Sequence, residues 1–291
     1  ASANFQKEVI MADLRDPAER ERAMRYVDKA DVIISNFKPN TARKLGVSFE
    51  ALRQRNAKAV IAELVGYREN PERGAFDVLL QAEAGYLSMT GHPHSPFAKI
   101  PVAMIDILAA HQLRAGILAA LYQRLQDGKG KHVEVDLYSA ALSGLINQGS
   151  AYLMHQDIAR PMGSAHPSIV PYGEIYHTLD DVPLVLAIGT DAQFRLLCEL
   201  LGIDSLPHWS TNKGRVEDRE ELQKRMSECI GQWNYSELRA VFTANEIPFA
   251  RVNDVGEALS QDKAAKFILE SEQEDVKLRA LRSVTFTLAS E

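Results

Sequence analysis

At 291 residues, with 46% hydrophobic and 25% charged residues, the chain is long enough to bury a sizeable core, and its composition excludes the disordered and collagen-like classes. A formal net charge of -6 lacks the basic footprint that a nucleic-acid binder needs. No apolar run is expected to reach membrane-spanning length, so neither nucleic acid nor membrane is expected as a partner, and a cytoplasmic location is expected.

Glu8 to Leu14 reads as a strand, Asp16-Pro17 opens a helix to Lys29, and Ala30 to Ser35 reads as a buried strand; together they make a βαβ unit with parallel pairing. Asn36 to Gly46 follows that strand's carboxyl end, the place where open α/β sheets bind ligands, and its basic residues suit phosphates as well as a solvated helix face. A helix over 47–56, a strand over 57–65, a polar loop over 66–74 and a helix over 77–89 come next. His92-Pro93-His94 reads as a surface turn, because no further ligands stand at metal spacing, and no metal is expected.

The stretch from Lys99 to Gly130 holds the most informative residue, Asp106. Apolar residues at Ala110, Leu113, Ile117, Leu121 and Leu125 share a helix face, so a long buried helix is expected, stopped by Asp127-Gly128-Lys129-Gly130. Asp106 stands where that helix begins and by position reads as its N-cap. It also emerges from apolar surroundings, Pro101 to Ile105, where an ionised carboxylate is costly unless something uses or compensates it.

Lys131 to Leu137 then alternates as a half-buried strand, and Ser139 is placed to cap a helix to about His155. The proline-rich segment 161–172 reads as a crossing between domains. After it come strands over 173–178, 183–188 and 247–252, with helices over 191–201, 216–232, 235–245 and 254–259, a small α+β unit. Cys198 and Cys229 stand far from CxxC spacing and read as free thiols of a reducing compartment. Val276 to Leu288 alternates like a strand. The expected division is a large domain over 1–160, a small α+β domain with its linker over 161–265, and a segment over 266–291 returning to the large domain.

Five pieces in order, ADVIISNFKPNTARKLG (30–46), AFDVLLQAEAGYLSMTG (75–91), the run 101–142 around PVAMIDILAAHQL, MGSAHPSIVPYG (162–173) and IPFARVNDVGEAL (247–259), resemble the class III CoA-transferases. That group includes formyl-CoA and carnitine CoA-transferases and the related 2-methylacyl-CoA racemases. The resemblance implies a Rossmann-like parallel-sheet large domain, a smaller α+β domain and an interlocked homodimer. It further implies transfer of CoA between carboxylic acids through aspartyl anhydride and aspartyl-CoA thioester intermediates, with Asp106 as nucleophile. Coenzyme A enters as substrate, and no permanently bound cofactor is implied. Carried over by position, Asn36, Phe37, Thr41, Lys44 and Leu45 match the family's CoA site, Lys44 standing where relatives have arginine and so lacking the bidentate fork. Asp77 matches an acidic position beside the active site and is also placed to cap its own helix; His166 and Tyr172 fall in the interdomain crossing. Phe76 replaces the racemases' proton-transferring histidine, which weakens racemisation as an alternative. The match begins inside the family's pattern, after strand and helix units that contribute to its CoA pocket, so an inactive CoA-binding subunit is the other alternative. Arg68 and Arg73 are candidates to pair with a second carboxylate of a dicarboxylic acyl group.

Overall fold

The structure is a computed structural model in which residues 4–5, 7–273 and 276–287 are described. The chain separates into two compact units, one over residues 11–163 and one formed by the described residues from 164 onward with those before 11.

The unit over 11–163 is built on a parallel sheet. Helix α1 (Pro17–Val27) starts as the sequence predicts, with Pro17 in its first turn and Asp16 accepting the N–H groups of Ala18 and Glu19. It leads to β1 (Val32–Ser35), α2 (Pro39–Leu45), α3 (Phe49–Arg55) and β2 (Val60–Val65). Helices α4 (Asp77–Glu83) and α5 (Tyr86–Met89) precede the 24-residue α6 (Met104–Asp127), which returns the chain to β3 (His132–Asp136), followed by α7 (Leu137–Ser143) and α8 (Ile146–His155). The strand order is β1-β2-β3, all parallel, with Val32 opposite Val60 and Ile61 opposite His132. The mixed α/β class and the parallel pairing are as the sequence predicts.

Several local expectations are corrected. Glu8 to Leu14 is not a strand; Val9 and Met11 are exposed, and an apolar run without a neighbouring ladder has nothing to fix it as one. The helix expected over 77–89 breaks in two because Gly85 adopts φ +88°, a left-handed conformation that ends one helix and starts the next. The helix after β3 is capped by Asp136, whose Oδ1 accepts the N–H of Ser139 at 2.8 Å, so Ser139 is a first-turn residue and not the cap.

Helix α6 holds the largest correction. Its buried residues are Ile105, Ala109, Leu113 and Ala120, while Ala110 and Leu125 of the expected face are exposed, Leu125 by 83%. It packs on β2, β3 and α7 through a narrow stripe, and a side chain at Gly116 would meet Val133 at 2.6 Å, so helix and sheet lie closer than any larger residue allows. An 18-residue window of α6 has mean hydropathy 1.4, long and apolar enough by composition to cross a bilayer, against the expectation that no segment is; its packing on the sheet makes it this unit's central helix.

The second unit centres on an antiparallel sheet, β4 (Tyr172–His177), β5 (Pro183–Ala187) and, later in the chain, β6 (Phe249–Arg251), in the order β4-β5-β6. Between β5 and β6 lie α9 (Asp191–Leu201), α10 (Asn212–Glu217), α11 (Arg219–Ile230) and α12 (Tyr235–Ala244); after β6 come α13 (Val255–Ser260) and a hairpin of β7 (Ile268–Gln273) with β8 (Val276–Leu281). Leu288, the end of the expected last strand, lies outside the described residues. Trp209, Phe194, Phe242, Tyr176 and Leu184 fill a single core. Arg215 is buried inside it with every polar end used: Nε and Nη1 donate to the carbonyls of Val170 and Trp209, and Nη2 pairs with Asp191 at 2.8 Å. Cys198 and Cys229 are free thiols, and burial pushes Cys198 up to about 11.

Candidate active site

Parallel pairing puts the carboxyl ends of β1, β2 and β3 on one edge, and α6, running back antiparallel to them, begins at that same edge. A cleft of about 420 Å³ opens there. Its wall comes from Asn36, Phe37 and Lys38 after β1, from Leu64 to Gly66 at the end of β2, from Pro71, Arg73 and Ala75 in the following loop, and from Leu137 after β3; Asp106 of α6 completes it. The loop is held close: a side chain at Gly66 would meet Ala75 Cβ at 2.4 Å.

Asp106 lies in the first turn of α6 and is not its cap; the N-cap residue is Ala103, which has no side-chain acceptor to offer. Asp77, twenty-eight residues away from Ile105, does the capping. Its Oδ2 accepts the N–H of Ile105 at 2.8 Å and that of Asp106 at 3.3 Å, and its other oxygen accepts from Gln81 Nε2. The expected role of Asp77 as cap of its own helix is therefore corrected: α4 is preceded by Phe76 and has no side-chain cap. Gln81, fully buried, also accepts the N–H of Ile100 at 2.8 Å, so α4 grips the segment leading to Asp106 at two points. Burial, and then the neighbouring Asp77 carboxylate, push Asp106 above the ordinary value of 3.8.

The loop over the cleft is tied down by charge. Arg73 pairs with Glu83, lies 4.2 Å from the centre of the Tyr67 ring, and Tyr67 donates its hydroxyl to Glu83 at 3.0 Å. Arg73, and secondarily Tyr67, hold the Glu83 carboxyl below its ordinary range. Glu72 accepts the N–H of Asn40 at 2.6 Å, latching the loop to the start of α2.

Of the residues singled out in the sequence, Asn36, Phe37 and Asp106 line the same cleft, and Asp77 touches the backbone of Asp106. Thr41, Lys44 and Leu45 sit on α2, next to the cleft-lining segment but not in the lining. Arg68 is outside the lining as well, its guanidinium 3.5 Å from Glu134 and 3.6 Å from Asp136. His166 and Tyr172 belong to the other unit, where their rings meet edge to face at 5.3 Å. Sequence reasoning did not single out Lys38 or Gln81. Lys38 had a signal, a basic residue directly after a strand's carboxyl end, whereas a buried glutamine on an amphipathic helix has none.

The fold defines an α/β protein with a cleft at the carboxyl edge of a parallel sheet, and the Asp106 carboxylate is part of the cleft's lining. The chain belongs to CoA-transferase family III, whose family model matches residues 1–289, and it is thereby an enzyme of the CoA-transferase class. It is 32% identical over 282 residues to a succinate–glutarate CoA-transferase of Agrobacterium fabrum, covering 94% of this chain and 70% of the relative. It is 33% identical over 271 residues to an acyl-CoA transferase of Fusarium pseudograminearum, covering 91% and 59%. A crystal structure of a CAIB/BAIF family protein from Brucella suis superposes with TM-score 0.82 at 30% identity, covering 97% of this chain and 75% of that one. The chain thus spans 59% to 70% of the length of these two curated relatives.

Proposed function

We propose that the chain transfers CoA from an acyl-CoA to a carboxylic acid with Asp106 as the nucleophile. The observation that carries the reading is the position of Asp106: a carboxylate at the start of a long helix, facing the cleft at the carboxyl edge of the sheet. An Asp106 oxygen attacks the thioester carbonyl, the C–S bond breaks, and a mixed anhydride forms with release of CoA thiolate. The thiolate attacks the aspartyl carbonyl, giving an aspartyl-CoA thioester and freeing the donor acid. The acceptor carboxylate then displaces CoA to form a second anhydride, and the thiolate takes the acceptor acyl group, regenerating Asp106. A carboxylate is a weak nucleophile in water, so partial desolvation and fixed geometry are what this chemistry needs.

Asn36 and Phe37 form the wall on which CoA rests, with Thr41, Lys44 and Leu45 on α2 and His166 as further candidate contacts. Dicarboxylic acids are the substrate class: the name of the Agrobacterium relative points there, and Arg73, paired with Glu83, places a guanidinium in the cleft wall. The same reading carries an interlocked homodimer, its dimeric mass measurable by sedimentation, and a cytoplasmic setting.

Incubation with succinyl-CoA, glutaryl-CoA and monocarboxylic acyl-CoAs of equal length, quenched with hydroxylamine, tests it by peptide mass spectrometry. A hydroxamate on the Asp106 peptide, lost in Asp106→Ala, is expected, with the dicarboxylic donors labelling fastest. No adduct from any donor removes Asp106 as nucleophile, and equal labelling by all donors removes the dicarboxylate assignment.

A further inference from the structure

We propose that Asp77 is the positioning residue of Asp106: its carboxylate closes the start of α6 from a neighbouring helix and thereby fixes where the nucleophile points. The inference rests on the reading of Asp106 as nucleophile but concerns a different residue.

A helix begins with backbone N–H groups that have no partner within it, and the residue before the first turn normally supplies one. At α6 that residue is Ala103, which cannot. Asp77 Oδ2 takes two of these donors at once, from Ile105 and from Asp106 itself, at 2.8 and 3.3 Å. Because one of the bonds is to the nucleophile's own N–H, moving Asp77 moves the Cα from which the Asp106 side chain springs. Asp77 is held in turn by the buried Gln81, whose amide oxygen accepts the Ile100 N–H. The start of α6 is therefore braced at residues 100, 105 and 106 by two side chains one turn apart on α4.

The arrangement has a second effect, of opposite character. A helix start favours negative charge, and without Asp77 the Asp106 carboxylate would enjoy that field alone. Asp77 occupies the donors and adds a like charge, which makes Asp106 bind its proton more tightly, and a more basic carboxylate is a better nucleophile once ionised. The other charged side chains in the cleft wall with Asp106 are Lys38 and Arg73, Arg73 being already paired with Glu83. Asp77 is the one whose charge acts directly against ionisation of Asp106.

Two measurements on the chain decide the matter. The first is carbon NMR of aspartate carboxyl carbons in wild type and Asp77→Asn, the Asp106 signal being assigned by its loss in Asp106→Asn. Asparagine keeps an acceptor for the helix start and removes the charge, so the Asp106 midpoint is expected to fall. The second is the single-turnover rate of the hydroxylamine-trapped adduct. Asp77→Ala is expected to slow it by about tenfold or more through misplacement, with the acyl-CoA concentration for half-saturation unchanged, and Asp77→Glu to restore part of the rate. In Asp77→Asn the acid limb of the rate should move to lower pH along with the NMR midpoint. An unmoved midpoint together with an unchanged rate in Asp77→Ala overturns the proposal, as does a loss carried wholly by weaker acyl-CoA binding. If wild type forms no adduct with any donor, the nucleophile reading fails instead, and the NMR arm still reports the Asp77–Asp106 coupling.

Discussion

The two units solve different problems with different materials. The unit that begins at residue 164 encloses large side chains, Trp209, Phe194 and Phe242, and even its buried Arg215 has each donor group answered. The unit over 11–163 buries mainly small and medium residues, Ala59, Ala62, Ala109, Ala140 and Ala141 among them, and leaves Leu118, Tyr122 and Leu125 of α6 and Leu153 and Met154 of α8 exposed. Its careful fitting lies at the cleft, where Asp77, Gln81, Arg73 and Glu83 fix a helix start and a loop. Volume of core and precision of local fitting are thus separate properties, and the unit that holds Asp106 and its cleft is the one with less of the former.

Substitutions sharpen this contrast. Phe242→Ala removes a fully buried ring that meets Phe249 edge to face, and a loss of about 3–5 kcal/mol is expected for its unit. Both tryptophans, Trp209 and Trp233, lie in that unit, so the urea midpoint of tryptophan emission reads it separately from the other. Leu113→Ala, on the buried stripe of α6, should cost about 2–5 kcal/mol by circular dichroism, whereas Leu118→Ser on the exposed side of the same helix should stay within about 0.5 kcal/mol. Equal costs for the pair would mean that the exposed face is covered in solution.

Acidity offers a finer probe of the cleft unit. Glu83 is held below its ordinary value of 4.5 by Arg73 first and Tyr67 second, so its folded-state affinity for the proton is weaker than in the unfolded chain. Its contribution to stability is therefore present above about pH 4.5 and lost as the pH falls through the lower, folded value. Glu83→Gln should be less stable than wild type at pH 7, and the gap should close on acidification; a gap independent of pH would assign the effect to packing instead.

How much was legible in the sequence follows the range of the forces involved. Helix α9 runs over the predicted residues 191–201 because its signals are local: Thr190 and Gln193 form a capping box, and Gly202 stops the helix at φ +66°. The existence of α6 was readable from its apolar spacing and its stop at Gly128, but not which side faces the sheet, since apolar residues also stand off the face read from that spacing: Ile105, Ala109 and Ala120 are buried while Ala110 and Leu125 are exposed. The strand expected over 8–14 failed for the complementary reason, because a strand exists only through its neighbours. At the site, Asp106, Asn36 and Phe37 were found through their place in a recognisable pattern, while the bonds from Asp77 to residues 105 and 106 join positions that nothing in the local sequence connects.

That long-range cap also orders events in time. Helix α6 can coil from its own residues, yet its first turn acquires acceptors only when α4 docks against it, so the chain must close a loop of nearly thirty residues before Asp106 has its final setting. A partly folded chain carries the carboxylate without its brace. The final placement of the Asp106 carboxylate is thereby tied to tertiary assembly, and it is reached no earlier than the docking of α4 that completes the start of α6.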